Sequence, residues 1–280
     1  MSMQGKTCLI TGANSGIGKA TVKGLAEMNA TIIMLCRDKE RGENAQKEII
    51  EQTGNKNVDL LLCDLSSQKA IHSFVSEFKN NYQSLHVLIN NAGIMLKKRI
   101  VSVDGFEMNF GVHHLAPFLL TNLLLDVLKK SAPSRIINVS SAAHKRARID
   151  FDDLQSEYKK YSLFRVYGVS KLALMLFTYE LSRRLEETGV SVNSLHPGVV
   201  NTNLGRDQSK FSQVFAKAFF KSPEKGAETS IYLASSPEVE GVTGKYFVKK
   251  EPRKSSEESY NEENAKRLWK ISAEMTKLDI

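Results

Sequence analysis

Cysteine is scarce in this sequence: the chain has three, Cys8, Cys36 and Cys63, each inside an apolar stretch. Their spacing fits neither a disulfide framework nor the ligand pairs of a zinc site, so no metal centre is expected. They read as buried thiols of a reducing compartment. Long apolar runs are lacking as well, for nowhere do about 18 apolar residues follow one another, as a membrane-spanning helix requires. The first residues lead directly into the strand-like KTCLI at 6–10, leaving no room for a signal peptide. A soluble, cytoplasmic protein is the expectation. Charge is not lacking: 39 Lys and Arg against 31 Asp and Glu give a net +8, which raises the question of a polyanionic partner. Yet the basic clusters, Lys97-Lys98-Arg99, Lys145-Arg146-Ala147-Arg148 and Lys249-Lys250, do not alternate with aromatic residues. No zinc-finger or basic-zipper pattern appears, so the charge reads as a solvated face and nucleic acid is not an expected partner.

What is present is an alternation. Short apolar runs, TCLI at 7, TIIML at 31, VDLLL at 58, HVLIN at 86, RIINVS at 135 and VSVNSL at 190, are separated by amphipathic segments of helical length. Such a rhythm predicts an α/β fold, a doubly wound parallel sheet with helices on both faces. Strands that are apolar throughout agree, because parallel strands are buried on both sides. With no internal repeat and no low-complexity linker, residues 1–280 read as a single domain. The segment at about 203–222 breaks the alternation, and a last amphipathic helix is expected at about 260–277.

Directly after the first strand stands TGANSGIG, with Gly12, Gly16 and Gly18. Glycines there let the backbone turn tightly and approach a pyrophosphate, which the next helix meets with its unpaired amides. A P-loop is excluded, because Ala13 and Ala20 stand where that motif needs Gly and Ser or Thr. The second strand ends in LCRD. Arg37 in this place favours NADP(H) over NAD(H), while a one-residue shift of the strand end would present Asp38 to a ribose instead. Further on, YGVSK sets Tyr167 four residues before Lys171, hence on one helical face. A nearby ammonium favours a phenolate and would lower the pKa of Tyr167, suiting it to acid-base work.

TGANSGIG at 11, DL at 64, NNAG at 90, NVSS at 138, YGVSK at 167 and HPGVVNT at 196 resemble, in this order, the motifs of the short-chain dehydrogenases/reductases. LCRDKERGENA and DGFEMNFGVHHLAPFLLTNLLLDVL are similar to the retinol dehydrogenase branch of that family. The resemblance implies a Rossmann-type fold and an NADP(H)-dependent interconversion of a carbonyl and its alcohol. Tyr167 would be the acid/base. Lys171 would tune it and hold the nicotinamide ribose, and Ser141 would hold the substrate oxygen, with Ser140 as the alternative if the strand register differs. Cofactor contacts are expected from Gly12, Asn14, Ser15, Gly16, Ile17, Gly18, Arg37, Asp64, Leu65, Asn91, Ala92, Gly93, Tyr167, Lys171, Pro197, Gly198, Val200 and Thr202. Within that set Asp64 would cap the adenine, unless it is the N-cap of a helix starting near Ser67, and Thr202 would bond the carboxamide. Asn90 would bridge sheet and cradle. A homodimer or homotetramer pairing the long fourth and fifth helices is expected, unless the C-terminal segment covers that face.

Two departures from the family pattern stand out. His113 occupies the position where an asparagine usually holds a water against the catalytic lysine; either His113 serves this relay, or Asn109 does, or proton exchange is slower. The interval between Ser141 and Tyr167 also carries an insertion, with Lys145, Arg146 and Arg148, beside the expected substrate mouth. In KFSQVFAKAFFKS, at 210–222, aromatic residues recur at helical spacing among lysines, as in a substrate lid or, over about 209–222, a peripheral membrane contact. Both imply a lipophilic substrate, retinal-like ones among them. The alternative is a dinucleotide-binding regulatory protein that has kept the fold and lost turnover.

Overall fold

The computed structural model describes residues 2–198 and 222–279. The apolar runs become parallel strands: β1 (Thr7–Thr11), β2 (Thr31–Cys36), β3 (Val58–Leu62), β4 (Val87–Asn90), β5 (Ser134–Val139) and β6 (Val190–His196). Two more follow near the C-terminus, β7 (Lys245–Val248), parallel to β6, and β8 (Glu251–Arg253), antiparallel to β7. These last two were not foreseen. β7, KYFV, is apolar but only four residues long, and β8 contains a proline and charged residues, so neither stands out as a strand of its own.

The sheet order is β3-β2-β1-β4-β5-β6-β7-β8. The chain winds outward from β1 to β3, then returns to place β4 on the other side of β1. That reversal parts the loops at the carboxyl ends of β1 and β4 and leaves a crevice between them. Alternating side chains divide the core into two layers. Cys8 and Ile10 of β1 pack with Val22 and Leu25 of α1 (Gly16–Ala26), Ile49 of α2 (Lys39–Thr53) and Leu233 of α6 (Pro223–Ser235). Leu9 faces the opposite layer, with Phe74 of α3 (Gln68–Asn81), Phe118 of α4 (Met108–Lys130) and Phe177 of α5 (Leu163–Arg184). All three thiols are buried, and burial pushes the pKa of Cys36 up to about 11 and those of Cys8 and Cys63 to about 12.

Helix α4 is long and apolar enough to cross a membrane, which the reading of the sequence did not anticipate, but 78% of its most apolar window is buried inside the protein. It serves as the central helix of one layer. Its turn at Gly111–Leu115 is π-helical. The wider turn aims His113 at α5, where its ring meets Tyr167 edge-on, while His114 lies among Phe110, Phe118 and Phe177.

The C-terminal helix is α7 (Glu262–Thr276). It lies on α5, with the Arg184 guanidinium 4.2 Å from the Trp269 ring centre, and it reaches α4 through His114 Nε2 and Ser272 Oγ, 2.7 Å apart. Thus α7 packs against both α4 and α5, the helices named for the expected subunit contact. The inserted segment is tied down rather than loose. Asp153 accepts bonds from the amides of Glu157, Tyr158 and Lys159, Arg99 binds the Gln155 carbonyl and Glu157, and the Tyr161 hydroxyl reaches the Leu96 carbonyl. Lys145, Arg146 and Arg148 are exposed.

Candidate active site

The crevice is a cavity of about 440 Å³ running from the end of β2 to the start of α5. Its floor is the turn between β1 and α1. Ser15 caps α1 without a side-chain bond to the helix, so the first amides of that helix are left without an internal partner and open on the cavity. No acidic residue stands in the first turn. The floor is tight because two glycines let it be. A Cβ on Gly18 would lie 2.2 Å from the Gly12 carbonyl oxygen, and Gly12 itself has φ of 64°. Asn91 fastens the roof to this floor, its Nδ2 donating to the Thr11 carbonyl at 2.8 Å, while the amides of Asn91 and Ala92 both donate to Thr11 Oγ1. The bridging role expected of Asn90 therefore falls to Asn91. Asn90 points into the sheet interior, to Thr121 and Asn138.

At the β2 end stand Arg37 and Arg41. Asp38, which also lines the cavity, accepts the Arg41 amide on Oδ1 as the N-cap of α2. Among the described residues neither guanidinium has a partner. Asp64 lines the cavity and shapes a turn by accepting from the amide and hydroxyl of Ser66, whereas the N-cap of α3 is Ser67. Asn14, Gly16, Ile17, Leu65, Gly93 and Pro197 also border the space. Gly198 follows β6 with φ of 91°. Val200, Thr202 and the expected lid at about 203–222, Ser222 excepted, lie outside the described residues.

The other end of the cavity holds the reactive groups. Lys171 is buried, and its Nζ donates to the Val139 carbonyl at 2.9 Å and stands 5.9 Å from the Tyr167 ring centre. Burial pulls the Lys171 pKa down to about 7. The half-buried Tyr167 has its pKa raised by burial, opposed by a hydrogen bond from Ser141 that favours the phenolate. The expected lowering of Tyr167 by Lys171 is therefore reversed, because desolvation weakens the ammonium and disfavours the phenolate together. The two serines differ in their contacts, and Ser140 is the one that lines the cavity. Ser140 Oγ donates to the Lys171 carbonyl, while Ser141 Oγ accepts from the Ala143 amide and faces Tyr167. Gly168 permits this approach, since a Cβ there would come within 3.1 Å of the Ala143 carbonyl oxygen.

His113 behaves otherwise than the relay role expected of it. The Ile94 amide donates to Nε2 at 2.9 Å, so the ring proton sits on Nδ1 and is donated to Ser170 Oγ at 2.8 Å. Ser170 in turn donates to the Tyr167 carbonyl. Both nitrogens are engaged, and none of these bonds reaches Lys171. Asn109 is engaged too, with Nδ2 on Glu107 and the Tyr161 hydroxyl. Sequence reasoning also missed Arg41, although its place one helical turn after Arg37 was a readable signal. It missed the apolar wall of Ile94, Met95, Leu96, Met108 and Val112, which no motif marks.

The buried histidines predict acid lability. Burial lowers His114 from 6.5 to about 3 and His113 well below 6.5, the latter with help from the Lys171 charge. Unfolding restores the ordinary value, so the unfolded chain takes up protons first. Their contribution is complete above pH 6.5 and is lost as pH falls from there toward 3. Each histidine costs about 1.4 kcal/mol per pH unit in that window. Urea unfolding of His114→Gln should show a shallower acid slope than wild type by about one proton; parallel slopes would contradict this account.

Residues 6–213 match the short chain dehydrogenase family. The chain belongs to that family. Human retinol dehydrogenase 13 is 48% identical over 286 residues, covering 99% of this chain and 86% of the relative. Human retinol dehydrogenase 14 is 48% identical over 295 residues, covering 99% and 88%. A crystal structure of an uncharacterised Mycobacterium Paratuberculosis protein superposes with a TM-score of 0.80 at 33% identity, covering 99% of this chain and 95% of that one. This short-chain dehydrogenase is thus an oxidoreductase of alcohols and carbonyls, of the retinol dehydrogenase-like kind, in a family that binds a nicotinamide dinucleotide. The cavity fits such a group: glycines and unpaired amides for the pyrophosphate, two guanidinium groups at one end, a phenol and an ammonium at the other.

Proposed function

We propose that this protein is an NADP(H)-dependent reductase of lipophilic aldehydes or ketones, retinal-like ones included, with Tyr167 as proton donor. The carrying observation is that Tyr167 and Lys171 line the apolar-walled end of a cavity whose far end presents Arg37 and Arg41, with Ser141 hydrogen-bonded to Tyr167. The bound dinucleotide would supply the hydride. Everything else falls to side chains. Gly12, the α1 amides, Asp64 and Asn91–Gly93 would hold the cofactor, and Lys171 its nicotinamide ribose.

Ser141 accepts the Ala143 amide, and the one proton it now directs at Tyr167 would turn to the substrate oxygen when a carbonyl enters between them. Because burial keeps Tyr167 protonated near neutral pH, it is poised to give a proton to that oxygen as negative charge develops. Lys171, its Nζ 5.9 Å from the Tyr167 ring centre, would stabilise the phenolate left behind. Anionic phosphates in the cavity would favour its ammonium form. Protonated Tyr167 suits reduction more than oxidation. Ile94, Met95, Leu96 and Met108 would exclude water and accept an apolar chain. The names of the relatives point to the same substrate class. Such substrates partition into bilayers, so we place the enzyme in the cytoplasm at a membrane surface.

The test is oxidation of NADPH and NADH against retinal, a medium-chain aldehyde, a steroid ketone and a quinone. Turnover of at least one apolar carbonyl with NADPH is the expected result; nucleotide binding without turnover of any would sink the reading. Arg37→Ala should weaken NADPH by about tenfold or more, one lost charge-assisted bond, and leave NADH nearly unchanged. Equal loss of both would remove Arg37 from cofactor choice.

A further inference from the structure

His144 is a buried group that the proposed reaction does not use and that bonds directly to Ser141. It is fully buried in the short 3-10 helix Ala142–Arg146, whose N-cap is Ser141. Its Nδ1 lies 2.6 Å from the Ser141 carbonyl oxygen, and its Nε2 accepts the Ser256 amide at 3.3 Å. An amide can only donate, so Nε2 is bare and the ring proton is on Nδ1, pointing at Ser141. The Tyr246 ring closes against the imidazole edge-on at 5.0 Å.

Ser256 is itself held. It begins a short turn, Glu257–Tyr260, in which Ser259 Oγ donates to the Ser256 carbonyl. Ser259 has one proton, so Ser255 Oγ must donate to it, and the Tyr179 hydroxyl of α5 must donate to Ser255. Tyr260 stacks on Tyr179 with ring centres 5.1 Å apart. A directed chain of bonds thus runs from α5, the helix that carries Tyr167 and Lys171, through residues 255–260 and His144 to the backbone of Ser141.

We propose that His144 is a positioning residue, clamped by the Ser256 amide, that fixes the peptide of Ser141 and so aims the Ser141 hydroxyl at Tyr167 and the substrate oxygen. Ser141 stands at the end of β5, where the ladder stops at Val139. Its backbone orientation is set by the Ser141 carbonyl, which accepts from both the His144 amide and the His144 ring. Residues 255–260 therefore act on the site from outside the cavity. The inference rests on the proposed role of Ser141, and its test separates the two.

Variants of the full chain test this. His144→Ala should lower kcat by about tenfold, as misaimed polar groups do, with the NADPH KM unchanged. His144→Asn keeps a donor near the Nδ1 position and should recover most of the loss. Ser256→Pro, at a residue whose φ of −78° proline accepts and whose hydroxyl has no partner among the described residues, replaces the clamping N–H with a methylene that displaces the His144 ring from it; it should lower kcat by a few-fold. In a Ser141→Ala background, His144→Ala should have no further effect. A renewed tenfold loss there would show that His144 acts on general packing and would overturn the proposal. A second readout is independent of turnover: the imidazole tautomer of His144 by nitrogen NMR. Neutral Nδ1–H in wild type, mixing with Nε2–H in Ser256→Pro, is expected. A wild-type ring protonated at Nε2 overturns the clamp, whereas absent turnover with the expected tautomer would count only against the function of the site.

Discussion

Tyr167→Phe should reduce carbonyl turnover by about 10²- to 10⁴-fold, the range for losing a positioned general acid. The variant removes one oxygen and leaves the ring against the edge of His113, where the centres are 5.4 Å apart. Ser170 still receives its proton from His113 and still donates to the carbonyl of residue 167, so the helix keeps its place. Nucleotide binding should therefore stay within about twofold of wild type. What is lost is the proton that must reach the substrate oxygen. Ser141 can hydrogen-bond that oxygen but, with a far more basic conjugate alkoxide, cannot protonate it. The measurement is NADPH oxidation with the best carbonyl of the panel, alongside nucleotide binding by fluorescence. Turnover within about tenfold of wild type would mean that another group supplies the proton.

The second large effect is expected at the floor of the cradle. In Gly18→Ala the new methyl carbon would stand 2.2 Å from the Gly12 carbonyl oxygen and 2.6 Å from Asn91 Nδ2. Neither neighbour can yield. Gly12 is backbone in a left-handed turn, its own Cβ position already 3.0 Å from the Ala92 Cα, and Asn91 holds the Thr11 carbonyl. The turn must open, which costs about 1–3 kcal/mol as overpacking and displaces the amides meant for the pyrophosphate. Nucleotide affinity should fall by about a hundredfold. The control is Gly24→Ala on the same helix, where the clash is with Ile231 Cδ1, the free end of a side chain that can turn away. Comparable losses in both variants would show that helix α1, rather than the close approach of two backbones, governs binding.

The strands were legible because a parallel strand buried on both faces must be apolar along its length, as TIIMLC of β2 is. The cradle was legible because only glycine permits the turn at Gly12 and the contact at Gly18. Illegible features depend on partners distant in sequence. Whether Asn90 or Asn91 fastens the roof depends on a rotation about the strand end, and the same one-residue ambiguity attached to Ser140 and Ser141. Only the structure shows that Asp38 caps α2 through one carboxylate oxygen while also bordering the cavity.

Sequence alone determined the order of β and α elements, the phosphate cradle, the Tyr167–Lys171 pair and the family, since each rests on residues close together in the chain or on their order along it. Tertiary structure decided which side chains were already occupied. It showed His113 bonded at both nitrogens, Lys171 desolvated until its pKa falls to about 7, and Tyr167 raised rather than lowered. It also brought Ser256 to His144 and α7 onto α4 and α5. The physical reason is common to these: the charge of a group and the direction of its proton are set by burial and by the atoms that fill its remaining hydrogen bonds, and those atoms come from segments that only folding brings together.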